Sequence, residues 1–314
     1  MEQKHHIREA IYCFKLDKEE KMKEGILYIA SNEEGEMLHT HYYAPISEIK
    51  GVIQIVHGMT EYIERYEDFA RYFTEQGYAV VGNDIIGHGR SRHSDMSPLY
   101  FEKWEDPVRD ILSVRNFISE RFPGVPVYLL GFSLGSFMCR SLKDRSSYTK
   151  EILVGTGCQP SIVLEIIRRT VSFCSHDIDK ESEMIKKMAF DNYDMYFKGE
   201  EHGAWLLRND NIREEYWEDS NINSRFSPQF FMEFLKGMET LNKKENIENI
   251  PTLFISGQYD PVGGQGKGVQ KVIKKYEKSV SDIKVVEIPG YGHDVLHDSC
   301  HDVVYDTILD FLKK

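Results

Sequence analysis

Residues 127–145 read VYLLGFSLGSFMCRSLKDR. The opening VYLL is an apolar, β-prone run, and the closing SFMCRSLKDR reads as a helix. Between them, Gly131-Phe132-Ser133-Leu134-Gly135 sets a serine between two glycines where a strand turns into a helix. That is the setting of a nucleophile elbow, a turn so tight that side chains flanking the serine would clash. The Ser133 hydroxyl should then stand above the sheet, with the Leu134 N–H near the positive end of the following helix.

Strand-then-helix units extend outward from this stretch. Residues 52–57, 79–84, 152–155, 252–256 and 284–288 are near-continuous apolar runs. Such runs predict strands buried on both faces of a parallel sheet. Amphipathic stretches at 66–76, 107–122, 135–145, 270–278 and 303–312 supply covering helices. The expected class is therefore α/β, with a mostly parallel, doubly wound sheet. Residues 11–43 alternate more loosely and predict leading antiparallel strands at one edge.

The alternation stops between Gln159 and Asn249, where helices and loops are expected and no strand. The chain thus divides into a first core segment (1–158), a helical insertion (159–249) and a second core segment (250–314). Eleven aromatics fall within residues 190–234, about twice the chain-wide density of 12%. They are read as the core of the insertion, with some rings also lining an apolar ligand cavity. Tyr193, Phe197, Trp205 and Trp217 are the candidates for that lining.

Composition narrows the class. A chain of 314 residues, 41% hydrophobic and 29% charged, can bury a large core without disulfide or metal staples. Lys+Arg 39 against Asp+Glu 51 gives a net charge of −12, which argues against nucleic acid or an anionic membrane surface as a partner. The five cysteines are scattered, odd in number and free of any C-x-x-C pair, which excludes a disulfide framework or zinc ribbon. The N-terminal residues are polar, unlike a signal peptide, and no run of about 18 apolar residues occurs. A reducing cytoplasm and no stable membrane anchor are the expectations.

A serine hydroxyl is a weak nucleophile that needs a base, and the base needs an orienting acid. Asp260 ends TLFISGQYD and His293 follows KVVEIPGYG, each just past an expected strand. Both should therefore sit on the carboxyl edge of the sheet, where Ser133 also sits. His57-Gly58-Met59 follows the strand VIQIV. Its glycine permits a sharp exit, after which the Met59 and Leu134 N–H groups can form a two-donor oxyanion hole. His57 itself is expected to be a hydrogen-bonded structural residue.

Five landmarks now stand in order: HGMTEYIERY (57–66), NDIIGHGRS (83–91), GFSLG (131–135), SGQYDPV (256–262) and GYGHDVLHD (290–298). On these the chain resembles the monoacylglycerol lipase and lysophospholipase group of the α/β-hydrolase superfamily, also described as serine aminopeptidase-like hydrolases. The resemblance implies a hydrolase core, a mobile helical cap over an acyl pocket, and no cofactor. It assigns nucleophile, acid and base to Ser133, Asp260 and His293, and the oxyanion donors to Met59 and Leu134. Four positions depart from the group's usual pattern. Thr60 and Tyr62 stand for a glycine and a histidine, Phe132 for a frequent histidine, and Asp294 for a frequent glutamate.

Three other patterns are set aside. His293-Asp294-Val295-Leu296-His297 mimics H-E-x-x-H, with His301 beyond, but lacks the glutamate, and no metal is expected there. Residues 263–268 look like a phosphate loop, but Pro261 and Gly268 break its pattern. Gly87-His88-Gly89 reads as a loop turn holding strand ends together. The leading function is a carboxylic ester hydrolase for a glyceride, lysophospholipid or other acyl ester, working through an acyl-enzyme. One alternative is a peptidase gripping a substrate amine with an acidic residue such as Asp191, Glu214 or Glu218. The other is a non-catalytic binding member of the fold, which would typically lack one of the three reacting residues.

Overall fold

The computed structural model describes residues 22–93, 97–187, 192–194, 197, 199–244 and 246–314. Cys13, Phe190, Asp191, Tyr196 and the expected strand residues 11–21 lie outside them. Eight strands form one sheet: β1 (Met22–Ala30), β2 (Met37–Pro45), β3 (Gly51–Val56), β4 (Tyr78–Asn83), β5 (Val127–Phe132), β6 (Lys150–Val154), β7 (Thr252–Gly257) and β8 (Ile283–Ile288). Their order is β1-β2-β4-β3-β5-β6-β7-β8. β1 and β2 are the leading antiparallel strands, and β2 pairs antiparallel with β4. From β4 to β8 every pairing is parallel. This is the α/β-hydrolase arrangement.

The apolar runs are continuous because the central strands are covered on both faces. Along β3, Val52 and Val56 enter one core while Ile53 and Ile55 enter the other, as a two-residue period requires. Helices α2 (Glu105–Arg121), α3 (Leu134–Ser141) and α9 (Lys267–Tyr276) cover the first face through Val114, Phe137 and Val272. Helices α1 (Glu67–Glu75) and α10 (His301–Lys313) cover the second through Phe69, Phe73 and Ile308. β8 departs from the expectation of two buried faces. It is the sheet edge, and its Val285 is 46% exposed.

Between β6 and β7 the described residues hold no strand, only α4 (Ser161–Cys174), α5 (Glu183–Lys186), α6 (Asn192–Asp194), α7 (Asp210–Glu218) and α8 (Pro228–Lys243). α8 begins at a Ser227 cap whose hydroxyl accepts from Phe230 N, with Pro228 at the first helical position. It packs against α4 and α3, which brings the insertion onto the carboxyl edge of the sheet. No helix among the described residues is long and apolar enough to cross a membrane.

A very close backbone approach in the core lies between α3 and β3. A Cβ at Gly135 would stand 1.9 Å from the Val56 carbonyl oxygen, and one at Gly131 2.7 Å from the Gly135 oxygen. Backbone cannot yield as a flexible side chain can, so Gly135→Ala is expected to cost about 3 kcal/mol or more, the upper end of overpacking effects. Urea unfolding of the variant checks this, and an unchanged midpoint would show that α3 can shift away.

Candidate active site

Ser133 sits between β5 and α3 with φ 48° and ψ −114°. A residue with a side chain holds such a conformation only where its surroundings impose it. Here the Ser133 N–H donates to Val154 O at 2.9 Å, and its carbonyl accepts from Ser136 N at 2.9 Å. Leu134 opens α3, so its N–H is among the helix donors that have no partner within the helix.

His293 and Asp260 complete a chain of hydrogen bonds from Ser133. His293 Nε2 lies 2.7 Å from Ser133 Oγ, and Nδ1 lies 2.9 Å from Asp260 Oδ1. A carboxylate only accepts, so the Nδ1 proton points at Asp260 and Nε2 is left to accept from the serine hydroxyl. Asp260 is fully buried just past β7, and its Oδ1 also accepts from Val262 N. The glycine-rich 263–268 segment is the loop beneath it. Left-handed Gly264, Gln265 and Gly266 turn the chain so that Gln265 N reaches Asp260 O at 2.8 Å.

Burial pushes the His293 pKa down, but the charge and hydrogen bond of Asp260 outweigh it and raise the value above the ordinary 6.5. The imidazole lies near the rings of Phe132 (5.1 Å) and Trp205 (5.9 Å), both inclined at 34°. His293 N donates to Trp205 O and Asp294 N to Leu206 O, so the insertion and the His293 loop are joined through backbone.

The segment after β3 is held by charge. The buried Glu61 carboxylate accepts from Gly58 N and from the Tyr66 hydroxyl, and it pairs with Arg65. Arg65 also reaches Asp294 at 3.5 Å and lies over the Tyr216 ring at 4.8 Å. Thr60, at the position usually taken by glycine, keeps a left-handed φ of 73°, and its hydroxyl bonds the Tyr216 OH at 2.7 Å. His57 spends both ring nitrogens on backbone, with Nε2 accepting from Ile85 N and Nδ1 donating to Gly58 O. His88 is buried between left-handed Gly87 and Gly89, and burial pushes its pKa down to about 3, so it stays neutral in its loop.

A cavity of about 340 Å³ opens above these groups, lined by Ser133, His293, Met59 and Leu134. Its wall has two characters. α4 and α8 contribute Val163, Leu164, Ile167, Phe231, Phe234 and Met238, an apolar part that the residue pattern did not single out. Glu61, Arg65, Asp294, Thr60 and Tyr216 form a polar part. Of the four aromatics expected to line it, Tyr193 and Trp205 do. Phe197 does not; it is buried in the cluster that Trp205 also joins, on a side away from the cavity. Trp217 does not either, being 38% exposed and stacked on His202. Glu214 and Glu218 are exposed on α7, away from the cavity. His297 turns its Nδ1 to Asp294 at 2.8 Å, while both nitrogens of His293 face Ser133 and Asp260.

Human monoglyceride lipase is 35% identical over 104 residues, and a monoglyceride lipase homolog of monkeypox virus 36% identical over 105. Each match covers 33% of this chain, and the chain spans 33% and 37%, about a third, of the length of these two relatives. Phospholipase YtpA of Bacillus subtilis is 25% identical over 255 residues, 79% of this chain and 89% of that protein. A thermostable carboxyl esterase from Bacillus coagulans superposes with a TM-score of 0.83 at 21% identity, over 92% of this chain and 98% of that one. A soluble variant of monoglyceride lipase from Saccharomyces cerevisiae does so with a TM-score of 0.66 at 15% identity, over 99% and 97%. These structural likenesses show the fold. The family described as serine aminopeptidase, S33 matches residues 47–300, and the chain belongs to that family.

Proposed function

We propose that this protein is a serine hydrolase that cleaves carboxylic esters with a single acyl chain and a polar alcohol part, such as a monoacylglycerol or lysophospholipid. The observation that carries this reading is the Ser133–His293–Asp260 hydrogen-bond chain, set in a cavity with one apolar and one charged wall. Ser133 Oγ attacks the ester carbonyl while His293 Nε2 takes its proton, and Asp260 holds the imidazolium. The Met59 and Leu134 N–H groups stabilise the oxyanion. Collapse of the tetrahedral intermediate breaks the C–O bond, and His293 returns the proton to the departing alcohol. Water, deprotonated by His293, then releases the acid from the acyl-enzyme.

The insertion serves as a cap whose α4 and α8 faces receive the acyl chain. The Glu61, Arg65 and Asp294 side chains face the alcohol part. α4 also exposes Ile162, Ile166 and Phe173, an apolar stripe suited to taking substrate from an aggregate or interface. Cys139, Cys158, Cys174 and Cys300 are unpaired, which supports a reducing, cytoplasmic setting. One observation favours a second reading, an aminopeptidase-like activity. Glu61 and Asp294 place two carboxylates against the single Arg65 guanidinium, leaving net negative charge for a substrate amine. A panel of acyl esters beside aminoacyl amides separates the two, and preference for the amides would replace the ester reading.

Ser133→Ala is expected to lower turnover by about 10⁴–10⁶ with an unchanged melting curve, and to abolish labelling by a fluorophosphonate probe. Retention of about a tenth of wild-type turnover would remove Ser133 from the role of nucleophile.

The base must be neutral to act, so kcat/KM should climb with pH through a value above 6.5. The stability linkage runs the other way. A raised histidine pKa favours the fold below the unfolded value of 6.5, and that contribution fades as pH rises through the folded value. In Asp260→Asn the two largest raising effects are lost, leaving burial opposed only by the charges of Asp294 and Glu61, so the His293 resonance, followed by NMR, should titrate below its wild-type value. A wild-type His293 titrating below 6.5 would contradict the assignment.

Each additional buried CH₂ contributes about 0.8 kcal/mol, so damage to the apolar wall should weigh most on long chains. Phe234→Ser and Met238→Ser are expected to cut the long-to-short ester rate ratio by about tenfold, while Trp217→Ser leaves that ratio unchanged. Equal loss on both ester lengths in the wall variants would mean that the chain lies elsewhere.

A further inference from the structure

We propose that His39, His41 and Glu64 form a binding site for one divalent transition-metal ion of the zinc class. The two histidines are two residues apart on β2, so both face the single 3₁₀ turn Ile63–Tyr66 that carries Glu64. One ligand atom from each of the three residues lies within 4.8 Å of the other two. His41 Nε2 stands 3.4 Å from Glu64 Oε1. Tetrahedral zinc, with bonds of about 2.0–2.1 Å, sets neighbouring ligands about 3.3–3.4 Å apart.

The second observation is that these nitrogens face carboxylates without a well-formed hydrogen bond, His39 Nδ1 towards Asp84 and His41 Nε2 towards Glu64. His39 and His41 are 1% and 2% exposed, and neither His39 Nδ1 nor His41 Nε2 makes a hydrogen bond among the described residues. Buried polar groups are almost always satisfied, so a pair of ring nitrogens without that bond marks a place for a further partner. The surroundings are acidic. Asp84 Oδ2 is 3.3 Å from His39 Nδ1, outside hydrogen-bonding geometry, and Glu24 Oε1 is 3.6 Å from His41 Nδ1. Glu24 thus stands near the far nitrogen of His41, on the side where a polar partner orients an imidazole ligand. Tyr43 OH faces the same nitrogen at 3.3 Å. The neighbouring cation, Arg90, reaches Glu64 Oε1 at 3.0 Å from the rim, where it is 56% exposed.

Glu61, Asp294 and His297 also converge, but there Arg65 already occupies the space between the carboxylates. Two imidazoles and one carboxylate suit zinc rather than the oxygen-seeking calcium or magnesium. His39, His41 and Glu64 do not line the cavity above Ser133. The ion would brace the turn that follows Met59–Glu61 against the sheet, a structural part.

The test is titration of chelator-stripped protein with Zn²⁺ against a chromogenic chelator, with X-ray absorption on the 1:1 complex. The expected result is one ion per chain, a first shell of two imidazoles plus oxygen, and a melting temperature that rises with zinc. Glu64→Gln, isosteric and partly exposed, should weaken binding by more than about tenfold, the lower end of what outer partners alone cost at zinc sites. His41→Asn should abolish it, and His297→Asn should leave it unchanged. Circular dichroism in chelator verifies that each variant is folded, and if His41→Asn is not, Glu64→Gln decides. Failure of the wild type to compete with the chelator, unweakened binding in Glu64→Gln, or loss confined to His297→Asn overturns the proposal.

Discussion

The close contact of α3 with β3 is the constraint on which the site depends. Only a glycine at 135 lets the helix backbone lie against Val56 O, and Ser133, on the turn into that helix, takes a positive φ of 48°. From there the serine stands beside the exits of β3 and β6 and opposite the loops after β7 and β8. Six parallel strands, β3 to β8, end on that edge, so residues far apart in sequence converge without any one loop having to be long. Ser133 and His293 are 160 positions apart yet share a 2.7 Å contact.

Around this centre, polar groups are spent on holding loops. Asp84 accepts from both Ile63 N and Arg90 N, linking the turn after Met59 to the 85–91 loop. His57 ties Ile85 to Gly58, and Glu61 ties Gly58 to Tyr66. The backbone on either side of Met59, the proposed oxyanion donor, is thus tied down at Gly58 and Ile63. An oxyanion site is effective in proportion to such preorganisation, because its donors need not reorient during the reaction.

The parts legible in the sequence are those whose signal is local. A serine between glycines, an aspartate and a histidine just past apolar runs, and H-G after VIQIV each announce a strand end, and the sheet brings strand ends together. What stayed hidden depends on which surfaces meet. Phe231, Phe234 and Met238 show helical spacing in α8, but spacing tells which side is apolar and not whether it faces core or cavity. Phe197 and Trp205 look alike in sequence and share one cluster, and only packing brings Trp205 to the cavity wall as well. The Arg65–Asp294 pair spans 229 positions and has no local trace. β8 carries the apolar pattern of a central strand, yet its place at the sheet edge leaves Val285 in solvent.

The central claim is that Ser133 carries the acyl group between the two half-reactions. It is tested most directly by acid-quenching the protein during turnover of an activated acyl ester, then reading the intact mass and the digested peptides. The proposed mechanism requires a mass increase of one acyl group, located on Ser133 and lost with time as water regenerates the free serine. Steady hydrolysis with no acyl adduct, or an adduct on any other side chain, would contradict it.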